Sequence, residues 1–252
     1  MEIIGYSDKG IERKGNEDNF FFKSFKDDLA LVAVADGMGG HAAGEVASGI
    51  AVAALSRINI PFETEREEDD NEYGDTVIDI IKNINREIYT ESKRDKEKTG
   101  MGTTLTMGII TGEKVIIGHV GDSRAYHLSG PLFQRITDDH TVVSEMLKDG
   151  RISKEEVSNH PRRHMLTRAL GTSGAVEIDV ENISLEKGDI LLFCTDGLTS
   201  LVSDAEIKQV LLEKGDEPEK AVQFMISLAN NRGGFDNITV VIVTGIGEVA
   251  YQ

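Results

Sequence analysis

Short apolar runs that each meet an aspartate where the run reaches the surface constrain this chain more than any other feature. Residues 33–35 run into Asp36-Gly37, residues 191–195 into Asp196-Gly197, and residues 115–120 into Gly121-Asp122. In mirror order, Asp236-Asn237 opens the run 238–243. Short continuous apolar runs between turn residues read as buried strands. Four carboxylates therefore sit where core strands end, each able to converge on one cleft.

The rest of the chain alternates between strand and helix patterns. Residues 29–35 form a strand run. Val46, Ile50, Ala53 and Ala54 place a helix over 43–57, and Val77, Ile80, Ile81, Ile84 and Ile88 signal a second. The acidic stretch 63–75 between them reads as a solvated loop rather than a domain boundary. Strands are expected at 103–110, Lys114–Val120, 124–128 and 132–136, then at 176–183, 189–194 and Ile238–Thr244. Helices fit 204–213 and 218–230, while 141–170 mixes short helices with loops. Strand runs interleaved with helix pairs give an α+β chain with sheets between helical layers.

An aspartate beside a glycine at a strand end has an ordinary explanation. It makes a turn, because aspartate tolerates the left-handed region and glycine supplies positive φ. Four such sites bring in a second explanation, an acidic metal centre. Oxygen donors without a Cys/His cluster suit magnesium or manganese rather than zinc, and no EF-hand calcium loop pattern occurs. The 252 residues include 44 acidic and 27 basic side chains, a net charge of −17. Such a surface repels nucleic acid and anionic lipid, so neither is an expected partner. The one cysteine, Cys194, lies in an apolar run. A disulfide framework is excluded, and a reducing compartment is expected. The start Met1-Glu2-Ile3-Ile4 lacks signal-peptide character, and no apolar stretch is long enough to span a bilayer. A cytoplasmic protein is the expectation.

Seven motifs in order then carry a resemblance. They are Gly10-Ile11-Glu12-Arg13-Lys14-Gly15-Asn16-Glu17-Asp18-Asn19, Val34-Ala35-Asp36-Gly37-Met38-Gly39-Gly40-His41 and Gly100-Met101-Gly102-Thr103-Thr104-Leu105. Next come Val120-Gly121-Asp122-Ser123-Arg124-Ala125-Tyr126, Leu166-Thr167-Arg168-Ala169-Leu170-Gly171, Cys194-Thr195-Asp196-Gly197-Leu198 and Gly234-Phe235-Asp236-Asn237-Ile238-Thr239. From Ser7 to Val243 the chain resembles the metal-dependent protein phosphatases, the PPM or type 2C family, in its compact bacterial form.

The resemblance implies one phosphatase domain over 1–252. Its fold would be a central β-sandwich of two antiparallel sheets flanked by pairs of helices, four layers in αββα order, with a flap at 141–170. It implies hydrolysis of phosphoserine and phosphothreonine in proteins by attack of a metal-bridging water. Two tightly bound Mn2+ or Mg2+ ions and a weaker third would be the cofactors. Asp36 would bridge the pair, the Gly37 carbonyl would complete one ion, and Asp196 and Asp236 would bind the other. Glu17 would hold a metal-bound water, Asp18 would support the site from behind, and Asp122 would share the third ion with Asp196. Arg13 matches the phosphate-binding arginine, whose fork holds two phosphate oxygens at fixed geometry. No protein nucleophile is then needed, and no Ser/His or Cys/His signature appears.

Two positions depart from the wider family. Met38 stands where many relatives carry a histidine proposed to protonate the leaving group. Nearby His41 is a candidate donor, set against the reading of a polar residue at a helix start that caps it or faces solvent. His164 stands where relatives commonly carry asparagine, which bears on substrate preference. His119 reads as a sheet residue, and Arg57, Arg124 and Arg168 read as structural partners of carboxylates. The expected partners are phosphorylated proteins, with a Ser/Thr protein kinase as the opposing enzyme, and the chain is expected to be a monomer. The competing functions are a non-catalytic phosphoprotein-binding regulator and a phosphatase dedicated to one phosphoprotein of a partner-switching pathway. The first predicts loss of a metal ligand, yet Asp36, Asp122, Asp196 and Asp236 are all present.

Overall fold

The computed structural model describes residues 1–26, 28–39, 43–59, 70–157 and 159–247. Eleven strands among these residues form two antiparallel sheets. The first sheet has the order β1 (Glu2–Asp8), β11 (Ile238–Thr244), β10 (Ile190–Cys194), β7 (Arg124–Ser129) and β8 (Leu132–Arg135). The second runs β2 (Asp18–Lys26), β3 (Leu29–Met38), β5 (Leu105–Ile110), β6 (Lys114–Val120) and β9 (Asp179–Ser184), with the two-residue β4 (Gly102–Thr103) pairing the end of β3.

Both faces of each sheet are covered, which is why the central strands show no polar alternation. Along β3, Leu29, Leu31, Ala33 and Ala35 pack against α1 (Ala43–Ser56) and α2 (Asp70–Arg94), while Val32 and Val34 face the other sheet. Along β11, Ile238, Val240 and Ile242 pack toward α6 (Asp204–Lys214) and α7 (Pro218–Asn231), while Val241 and Val243 turn inward. The period of two thus splits one apolar run between two cores. The inter-sheet layer is dominated by Val32, Val34, Ile117, Leu191, Phe193 and Val241, all fully buried. Truncating Phe193 to alanine there would cost about 3–5 kcal/mol. The layers stack helix pair, sheet, sheet, helix pair, as the resemblance implied.

Local signals account for the helix limits. Ser203 and Glu206 form a reciprocal capping box at the start of α6, Pro218 opens α7, and Thr141 caps α3 (Val142–Lys148) by accepting the Ser144 N–H. The structure differs from the sequence reading in several places. Asp70 to Asp75 belong to α2 rather than to the acidic loop, whose remainder at 63–69 lies outside the described residues. The run 103–110 breaks at Thr104 into β4 and β5, and the strand expected at 176–183 is β9, Asp179–Ser184. Strands β1 and β2, at the sheet edges, were not anticipated at all. Within 141–170 stand α3 and the short α4 (Lys154–Val157). Both ends of this segment are pinned: Val142 N–H donates to the Met165 carbonyl at 2.9 Å and Thr167 N–H to the His140 carbonyl at 2.8 Å. Among the described residues no helix is long and apolar enough to cross a membrane.

Candidate active site

The sheets meet chemically at Asp18. It opens β2 and lies directly across the ladder from Asp36 of β3. Its buried Oδ2 accepts the hydroxyls of Thr195 at 2.8 Å and Thr239 at 2.7 Å, both from the opposite sheet's β10–β11 region. The other oxygen, Oδ1, is buried with no hydrogen-bond partner among the described residues. Burial pushes the Asp18 pKa up to about 7; the two hydroxyls oppose the rise and the charges of Asp196 and Asp236 add to it.

Asp36 is not at a strand end. Strand β3 continues to Met38, with Gly37 facing Thr103 of β4, so Asp36-Gly37 makes no turn. Glycine is required for a different reason: a Cβ on Gly37 would strike the carbonyl oxygens of Gly44 and Glu17. That close approach packs the start of α1 against the strand. The Asp36 backbone is fixed by Thr104, whose Oγ1 accepts its N–H at 3.0 Å and whose own N–H donates to its carbonyl at 2.8 Å. Burial raises the Asp36 carboxyl well above the usual range, helped by Asp18, Asp196, Asp122 and Asp236.

Asp122 follows β6 in a turn that His140 clamps. The Gly121 N–H donates to His140 Nδ1 at 3.1 Å, and the His140 N–H donates back to the Gly121 carbonyl at 2.7 Å. Burial, then the charges of Asp196 and Asp139, raises its carboxyl as well. Asp196 heads the four-residue α5 (Asp196–Thr199). Asp236 precedes β11, and its carboxyl is raised by burial and by Asp196 against the lowering effect of the Asn237 N–H and Arg13. Asp18, Asp36, Asp122 and Asp236 are thus each pushed toward the neutral form, and the charge of Asp196 contributes to all four.

Such a cluster is a poor resting place for five negative charges and a good one for hard cations. Among the described residues no three His, Cys, Asp or Glu side chains form a finished ligand group. The donor chemistry nevertheless fits: all-oxygen ligands, mutual repulsion, and a buried Asp18 oxygen without a partner among the described residues. Two aspartates have basic side chains beside them. Arg13 Nη2 lies 2.7 Å from Asp236 Oδ2, and His164 Nδ1 lies 3.7 Å from Asp196 Oδ2. Arg13 Nε also donates to the Phe235 carbonyl at 3.3 Å.

Arg13 and Glu17 ride on the loop between β1 and β2, and Asn237 fastens that loop. Its Oδ1 accepts the Glu17 N–H at 2.8 Å, and its Nδ2 donates to the carbonyls of Lys9 at 2.8 Å and Gly15 at 2.9 Å. The Glu17 carboxylate lies against Gly44 in the first turn of α1. His41 lies outside the described residues.

The residues read as structural are so. His119 is buried in β6 between Thr106 and the Asp138 carbonyl, Arg57 pairs with Glu87, Arg124 with Asp139, and Arg168 with Asp179 and Glu177. The sequence reading missed Thr195, Thr239, Asn237 and His140 as parts of this assembly. Thr195, Asn237 and Thr239 interrupt or flank apolar strand runs, a signal available in the sequence, whereas His140 lies in a polar stretch that carries none; all four are buried.

The protein phosphatase 2C family matches residues 11–230. The serine/threonine phosphatase stp of Listeria monocytogenes is 43% identical over 237 residues, 94% of this chain and 93% of its own. The protein phosphatase PhpP of Streptococcus pneumoniae is 34% identical over 247 residues, 97% of each chain. A solved catalytic domain of the serine/threonine protein phosphatase PstP, in complex with 2 manganese ions, superposes with a TM-score of 0.81 at 34% identity, covering 96% of each chain. With two helix-flanked antiparallel sheets and five aspartates gathered where they meet, the chain belongs to the protein phosphatase 2C family and is a protein serine/threonine phosphatase.

Proposed function

We propose that this phosphatase works on a pair of divalent cations, manganese or magnesium, held by Asp36, the Gly37 carbonyl, Asp196 and Asp236, with a weaker third ion on Asp122 and Asp196. The observation that carries the reading is the buried carboxylate cluster, in which Asp18 Oδ1 has no partner among the described residues and four carboxyls are pushed toward the neutral form. When bound, such cations neutralise the phosphate and lower the pKa of water in the site. Arg13 binds the phosphate dianion as a charged fork beside Asp236. Glu17 orders water at the start of α1, and Asp18 holds the two sheets in register behind the ligands. The chain acts as one domain over 1–252, with 141–170 as a flap that reaches the cluster through His164. Its substrates are phosphorylated proteins, opposing a Ser/Thr kinase, and it acts as a monomer.

The test is hydrolysis of phosphoserine, phosphothreonine and phosphotyrosine peptides before and after chelation. Excess chelator abolishes turnover and manganese or magnesium restores it, whereas calcium, with its larger and looser shell, does so poorly. Asp36→Ala or Asp236→Ala lowers turnover by at least ~10²-fold at saturating metal. Full activity in excess chelator would overturn the reading.

A further inference from the structure

Two large apolar side chains stand largely in solvent beside the Arg13–Asp236 pair. Ile11 is 66% exposed and Phe235 is 59% exposed. They come from opposite ends of the sequence and are drawn together by one short loop. Ile11 and Glu12 both donate their N–H to the Gly234 carbonyl, at 2.8 and 3.1 Å. Ile11 sits two residues before Arg13, Phe235 sits one residue before Asp236, and the Phe235 carbonyl accepts from Arg13 Nε.

Both side chains are propped rather than dangling. Gly233 and Gly234 adopt φ of 126° and 53°. A Cβ on Gly233 would run into the Phe235 ring, and one on Gly234 would meet Ile11 Cγ1. The bare glycine backbone is therefore the floor on which both side chains rest. Their outer faces remain in water although the loop is tied down from beneath. Apolar surface that a tethered loop leaves in water beside a charged site is available to a ligand that reaches that site.

We propose that Ile11 and Phe235 form an apolar shelf that seats an apolar residue within two positions of the phosphorylated serine or threonine in an extended substrate segment. The inference rests on the proposed role of Arg13 at the phosphate. Consecutive Cα atoms are about 3.8 Å apart, so a residue one or two positions from the phosphorylated one passes directly beside the arginine. Phe235 adjoins Asp236 and Ile11 lies two residues before Arg13, so the shelf is continuous with the site. An extended segment fits better than a folded surface, because the shelf offers apolar contact to a single side chain rather than a broad complementary face.

The experiment compares kcat/KM for two phosphopeptides identical except for the residues flanking the phosphothreonine, leucine in one and glycine in the other. Wild type prefers the leucine peptide by about five- to tenfold, the partial burial of one aliphatic side chain. The ratio falls to near one in Ile11→Ser and in Phe235→Ser, and Phe235→Leu retains most of it. Leu132→Ser, an equally exposed residue on β8, keeps the wild-type ratio. Because the ratio is taken within each protein, differences in folded fraction cancel. A wild-type ratio of one, or an unchanged ratio in both serine variants, would overturn the shelf. So would an equal loss on both peptides. If wild type folds cooperatively but hydrolyses neither peptide with metal present, the failure lies in the reading of the site beneath it.

Discussion

Replacing Asn237 with alanine tests how the site is assembled from distant segments. The side chain makes three hydrogen bonds, one accepted from the Glu17 N–H and two donated to the Lys9 and Gly15 carbonyls. Each contributes about 1 kcal/mol net, and water can reach part of the freed backbone once the loop lifts. The loop carrying Arg13 and Glu17 therefore loses about 2–3 kcal/mol of closure. That corresponds to a roughly 30- to 150-fold increase in its opening equilibrium. Opening exposes local amides without unfolding the sheets, so hydrogen exchange reads the effect directly. The Glu17, Ile11 and Glu12 amides should lose protection by that factor, while those of β5 and β6 keep theirs. Activity should fall as well, because Arg13 and Glu17 leave the cluster together, but by less than the exchange factor while the closed loop still predominates. Unchanged protection at Glu17 in a well-folded Asn237→Ala protein would refute the reasoning.

Arg13→Ala removes a charged fork, so kcat/KM should drop by about 1.5–3 kcal/mol of transition-state binding. Metal affinity measured by calorimetry should barely move; its collapse would make Arg13 a buttress of Asp236 instead. Asp122→Ala should keep the melting temperature and the tightly bound ions, yet lose most phosphopeptide turnover and the weak activating phase of a metal titration. An identical phase in both proteins would return Asp122 to a turn residue. His119 supplies a pH test away from the cluster. Burial, then the charge of His140, lowers its pKa from 6.5 to about 4. The unfolded chain therefore binds more protons than the folded one between these values. Stability should fall as pH drops across that window, by up to ~3 kcal/mol from this group, and should be unaffected by it above. Urea melts of wild type and His119→Gln from pH 4 to 7 should differ in slope there, and parallel curves would contradict the assignment.

The central strands were legible because their signal is local. Runs such as 29–35 and 240–243 are apolar at every position, since each face meets a different core. The edge strands β1 and β2 were not legible. Half-exposed and mixed in polarity, as in Asn19-Phe20-Phe21-Phe22-Lys23, they are strands chiefly because β11 and β3 supply ladders for them. The aspartates were legible as residue types, and their order along the chain sufficed to identify the family. Their local geometry was not: Asp36-Gly37 looks like a turn, and only the packing of Gly44 and Glu17 against Gly37 shows why glycine stands within a strand. The least legible part was the joint at Asp18, where hydroxyls from positions 195 and 239 meet one carboxylate across the sandwich. Sequence spacing records which side chains a strand carries and which face each takes. Bringing positions more than 170 residues apart onto one oxygen depends on how two sheets pack, which only the tertiary structure decides.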